Sequence, residues 1–211
     1  MQKHAVLFPH KEFRSALKPE EIALIESLNT PQEVQAFLTL EIRYNFEEDG
    51  ETTQSPLEVL RTRTAHCFEG ALFAAAVLWY HGHRPTLVLI EAPEDYDHNL
   101  VIYWENGKVG SVAQSRHPEL LGKPATFDTT RDLALSYYPD YYSDWTGNRN
   151  DLTMRGFSEP IDLRKFGGAW VLGKEVWDLY HHYLDGVCLE KLFPENEEDR
   201  YYFYPGKSIE E

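Results

Sequence analysis

At 211 residues, 42% hydrophobic and 14% aromatic, the chain holds enough apolar material for one sizeable core, so a single domain over 1–211 is expected. No stretch approaches the roughly 20 apolar residues that span a bilayer, and a formal charge of -15 without any Lys/Arg stripe excludes a nucleic-acid surface. Two cysteines, neither in a C-x-x-C pair, exclude a disulfide scaffold, a zinc knuckle and a thioredoxin-type motif.

The opening residues MQKHAVLFPHKEFRS lack an apolar h-region followed by a small-residue cleavage site, so a cytoplasmic protein with reduced thiols and no membrane partner is expected. A helix is predicted around Pro19–Leu28, where Ile22, Leu24, Ile25 and Leu28 share a side. Thr30-Pro31-Gln32-Glu33 and Ser55-Pro56-Leu57-Glu58 each combine an N-cap hydroxyl, Pro at N1 and Glu at N3, and so start two more helices. The region 1–55 is therefore a helical layer, with Glu47 to Gln54 as a polar loop.

Residues Cys67 to Tyr80 (CFEGALFAAAVLWY) are apolar on nearly every face, which predicts a buried central helix stopping near Gly82 with Pro85 just beyond. Thr86 to Ile90 is a short buried strand and Pro93 to Asp97 a polar loop. His98 to Trp104 and Val109 to Ser115 flank Asn106-Gly107, the strongest short signal for a hairpin. Helix followed by strands implies an α+β domain whose core, about 56–115, packs the Cys67 helix on an antiparallel sheet.

Beyond the core, 116–211 is expected to be a helical extension. Thr130 to Tyr138 and Glu175 to Leu184 are its helices, the aromatic run Tyr137 to Trp145 packs partly as a loop, and Glu195 to Arg200 and Glu210-Glu211 are solvated. Cys188, between helical signals, is expected to pack as a small hydrophobe. His81-x-His83 and His181-His182 lack the spacing of metal ligands and are expected near helix ends, so no metal and no cofactor is implied.

Cys67 occupies the first turn of the central helix, where unpaired N–H groups and the helix dipole favour an anion and lower a thiol pKa. A thiolate there attacks an acyl carbon, and the same N–H groups can receive the developing oxyanion. Gln54 is a further candidate donor, weighed against a surface role. His98 opens the hairpin strand at the sheet end facing the helix start, as a general base requires. A two-residue Asn106-Gly107 turn pairs Trp104 with Val109 and brings Ser115 opposite His98; a one-residue shift substitutes Gln114. The third site residue is therefore Ser115 or Gln114.

Arg61-Thr-Arg-Thr-Ala-His-Cys67-Phe-Glu-Gly-Ala71 and Asp97-His98-Asn99-Leu-Val-Ile-Tyr-Trp resemble the nucleophile segment and the histidine strand of transglutaminase-like domains. The resemblance covers about Pro56 to Ser115. It implies a papain-like α+β fold and cysteine-dependent acyl transfer or amide hydrolysis through a thioester, acting on a peptide, protein or small amide. The family usually carries an Asp after the histidine strand, whereas Val109 to Arg116 contains none, so the alternative is a degenerate domain acting as a binding or scaffold module.

Overall fold

The computed structural model describes residues 6–93 and 95–193; the acidic segments 195–200 and 210–211 lie outside it. Three helices open the described chain: α1 (His10–Ala16), α2 (Pro19–Ser27) and α3 (Pro31–Glu41). The start of α3 is a reciprocal cap, in which Thr30 Oγ1 accepts from the Glu33 N–H at 3.2 Å and the Glu33 carboxylate accepts from the Thr30 N–H at 2.9 Å. Two-residue β1 (Arg43–Tyr44) pairs in parallel with β2 (Thr64–Ala65), which follows α4 (Pro56–Thr62). That pairing sets Tyr44 and the 45–54 loop beside the start of the next helix.

The next helix, α5 (Cys67–Tyr80), is buried at every residue from Phe68 to Trp79. Burial of side chains such as Leu72, Phe73 and Leu78 contributes about 1.5–3 kcal/mol each. Gly82, at φ +90°, takes the chain out of the helix as only a residue without Cβ does readily. Then follow β3 (Thr86–Glu91), β4 (His98–Glu105) and β5 (Lys108–Val112), with Asn106 and Gly107 both at positive φ (52° and 75°) in the two-residue turn.

The register pairs Glu105 with Lys108 and Trp104 with Val109, as the turn dictates, but the ladder ends at Val101 with Val112. Residues 113–115, expected to continue the strand, leave it. Gly70 explains the direction of that exit: a Cβ there would lie 2.3 Å from the Gln114 Cβ, so α5 and the departing chain meet at a position only glycine permits.

After α6 (Thr130–Leu135), the segment expected to be helical supplies β6 (Gly156–Ser158), β7 (Ile161–Asp162) and, beyond α7 (Trp177–Asp185), β8 (Leu189–Lys191). These join the same antiparallel sheet, in the order β5-β4-β3-β6-β8 with β7 also on β3. The extension is thus partly strand. Its strands are two or three residues long, too short for an alternation to show in sequence.

Both sheet faces are covered. Leu87, Leu89, Val101, Tyr103 and Val112 pack with α5, α3 and α4, while Val88, Ile90, Leu100, Ile102 and Val109 pack with Leu133, Tyr137, Tyr138 and Tyr141. The aromatic run therefore forms a second core as well as loop. Double-sided burial is why β3 and β4 are continuous apolar runs. The fold is α+β, and no helix among the described residues is long and apolar enough to cross a membrane.

Candidate active site

Cys67 is the first residue of α5, half-buried, at the positive end of the helix dipole. It faces a cleft of about 400 Å³ lined also by Tyr44, Glu47, His66, Asp97, Asn99 and Trp177. An adjoining recess of about 40 Å³, which shares Cys67 and Arg116 with the cleft, is lined also by His98, Ser115 and His117. The structure thus brings Cys67, His98 and Ser115 to one place.

Two imidazoles act on the thiol. Burial raises the Cys67 thiol pKa, but hydrogen bonds and positive charge from His66 and His98 hold it well below the ordinary thiol range. The Sγ also lies 3.7 Å from the Asp97 carbonyl oxygen and 3.7 Å from Asn99 Nδ2.

His98 is buried, and its Nε2 lies 2.8 Å from the carbonyl oxygen of Leu120. A carbonyl only accepts, so Nε2 carries the proton and Nδ1 is the nitrogen left for the sulfur. Ser115, expected as the orienting partner, lines the recess, but its Oγ accepts from the His117 N–H at 3.0 Å. Gln114, the alternative, is buried against Gly70 and donates from Nε2 to the Ile42 carbonyl at 2.9 Å. Neither side chain is the partner of the His98 ring nitrogen. The early end of the β4–β5 ladder removes the geometry that would have placed Ser115 opposite, and the short helical turn Pro118–Leu120 delivers a main-chain oxygen instead. A main-chain partner leaves no mark on residue type.

His66, which sequence reasoning passed over, is the N-cap of α5. In the neutral ring Nδ1 accepts from the Phe68 N–H at 3.3 Å, and Nε2 lies 3.1 Å from the Thr52 carbonyl. Burial lowers its pKa, but the hydrogen bond and charge of Cys67, with the charge of Glu69, win and raise it to about 9. Glu69 is fully buried and accepts from Thr52 Oγ1 (2.7 Å), the Gln54 N–H (2.7 Å), Gln54 Nε2 (3.2 Å), the His66 N–H (3.0 Å) and Asn45 Nδ2 (3.4 Å). Gln54 is thereby turned to Glu69 and the Thr64 carbonyl, away from the cleft. The signal that was available is the N-cap/N3 spacing of His66 and Glu69, hidden because histidine is an uncommon cap.

At the rim, Asp144 holds both Arg116 and the His117 Nε2, the latter at 2.6 Å, and the Arg116 guanidinium lies 5.0 Å from the Tyr96 ring centroid. Cys188, expected to pack, is exposed. His81 caps the end of α5 and His181 and His182 lie in α7; among the described residues no group of three potential ligands is placed to hold a metal.

No family model matches the chain, and no curated protein does. Among solved structures it is similar to Legionella pneumophila LapG and to the same protein in an EGTA-treated form. Each has a TM-score of 0.44 and 13% identity, over 85% of this chain and 99% and 100% of theirs. At that level the similarity specifies no shared activity.

Proposed function

We propose that the chain is a cysteine-dependent acyl-transfer or amide-hydrolysing enzyme with a papain-like, transglutaminase-like arrangement. The observation that carries this reading is the half-buried Cys67 at a helix N-terminus, lining a cleft, with its thiol held well below the ordinary range by His66 and His98. An inert structural cysteine has no use for a thiol held so low.

In this reading the Cys67 thiolate attacks the carbonyl carbon of a peptide, protein or small amide. The C–S bond forms as the carbonyl π pair moves onto oxygen. His98, holding the thiol proton on Nδ1, gives it to the leaving amine as the C–N bond breaks and a thioester remains; water or a second amine, deprotonated by the same nitrogen, then takes the acyl group. The Leu120 carbonyl fixes the tautomer and plane of His98 without adding a negative charge. His66, backed by Glu69, supplies the positive charge that a carboxylate-supported base provides elsewhere.

The test uses p-nitrophenyl acetate as a generic acyl donor. Cys67→Ser and His98→Ala are expected to abolish turnover, with Cys188→Ser at the wild-type rate. If Cys67→Ser and Cys188→Ser behave alike, the nucleophile is misassigned and the scaffold alternative stands.

A further inference from the structure

We infer that the side-chain amide of Asn99 is an oxyanion donor of this site, and that Tyr183 on α7 is the positioning residue that aims it. This rests on the reading of Cys67 as an acyl-transfer nucleophile. Asn99 is buried on β4 next to His98, yet it faces the α5 side of the sheet, lines the larger cleft and brings Nδ2 to 3.7 Å from the Cys67 sulfur. Its other amide atom is fixed: the Tyr183 hydroxyl donates to Oδ1 at 2.9 Å. Tyr183 is 1% exposed, its ring stacks on Phe68 with centroids 5.7 Å apart, and burial pushes its hydroxyl well above the usual phenol value, so it remains a donor.

The orientation of the amide follows from the partners. A thiolate only accepts, so Nδ2 must face the sulfur, and a protonated Tyr183 hydroxyl is then satisfied by Oδ1. When an acyl carbon bonds to Sγ, its oxygen lies close beside the sulfur. A donor 3.7 Å from the sulfur is therefore placed to meet that oxygen at the about 2.7–3.1 Å an oxyanion donor requires. The Cys67 N–H, at the first helical position with no intrahelical acceptor, is the second donor. Gln54 faces Glu69 and does not compete for the role.

Two reactions of one sulfur separate this role from a merely structural one. Acylation by p-nitrophenyl acetate passes through an oxyanion: the C–S bond forms, the π pair moves to oxygen and returns as the C–O bond to p-nitrophenolate breaks. Alkylation by iodoacetamide displaces iodide and forms none. On a Cys188→Ser background, Asn99→Ala is expected to slow the p-nitrophenolate burst roughly 100-fold while alkylation changes less than about twofold. Tyr183→Phe keeps the ring on Phe68 and frees the amide, and should slow the burst about tenfold with alkylation again unchanged. If either folded variant slows both reactions in parallel, or Asn99→Ala leaves the burst intact, the inference is overturned. A wild-type Cys67 that reacts with both probes no faster than Cys188 overturns the nucleophile reading, and the inference with it.

Discussion

Glu69 holds His66 at both ends: one carboxylate oxygen accepts from the His66 N–H at 3.0 Å, and the other lies 3.5 Å from ring atom Nε2. Both residues belong to the turn that starts α5, so the cap of the helix and the charge beside the nucleophile are one construction. The acid missing from the strand after His98 has a counterpart here, serving the other imidazole.

A pH profile of Cys67 alkylation tests that pairing. The thiol is held low, so its thiolate is retained above the lowered value and lost only as pH falls through it; the His66 cation is retained below about 9 and lost as pH rises through it. The iodoacetamide rate of the Cys188→Ser chain should be nearly flat around neutral pH, where an ordinary thiol of pKa about 8.5 gains tenfold per unit, with a second inflection near 9. His66→Ala should remove that inflection and move the profile toward an ordinary thiol. A single inflection near about 8.5 in the wild-type chain would contradict both assignments.

Replacing Glu69 by Gln inserts an amide NH₂ where every partner is a donor. At least one of the Thr52 hydroxyl, the Gln54 N–H and the His66 N–H then loses its acceptor in a fully buried setting. Urea denaturation should show a loss of about 3 kcal/mol. The alkylation inflection near 9 should fall toward that of an unassisted histidine. A stable variant with the inflection unmoved would dissociate Glu69 from His66.

Much of this architecture was legible because it depends on residue type at short range. The Thr30 and Ser55 caps, the all-round apolar run from Cys67 and the Asn106-Gly107 turn each specify their element locally, and with them the placement of Cys67 and His98. The partner of His98 was not legible, because Leu120 contributes only a backbone oxygen and because the strand register fails where Gln114 meets Gly70. Asn99 was hidden by its neighbour: residues 98 and 99 point to opposite faces of β4, and only the position of the helix end beside the strand start lets both reach one sulfur.

Ser115→Ala separates the hydroxyl from the imidazole it was expected to orient. Its Oγ accepts from the His117 N–H, so the change should cost about 0.5–1.5 kcal/mol in thermal or chemical denaturation and leave the His98 titration by NMR, and the Cys67 alkylation rate, at wild-type values. A shifted His98 titration would return Ser115 to the site.

Gly70→Ala probes the contact that ends the β4–β5 ladder. Alanine is favoured over glycine inside a helix by about 1 kcal/mol, so on α5 alone the substitution should stabilise. Here the added Cβ would sit 2.3 Å from the Gln114 Cβ and 3.1 Å from its Cγ, in a buried interface whose other side is tied by Gln114 Nε2 to the Ile42 carbonyl. Neither backbone can retreat freely: α5 is buried on all sides, and the neighbouring Ala113 is held at both its N–H and C=O by the Gln35 side chain. Overpacking of this kind costs about 1–3 kcal/mol, which outweighs the propensity gain. Denaturation should therefore show net destabilisation. Gln114→Gly in the same chain, which removes the opposing Cβ, should be less damaging there than in the wild-type background. Additive costs in that double-mutant cycle would show that α5 and the exit of β5 are not in the contact described.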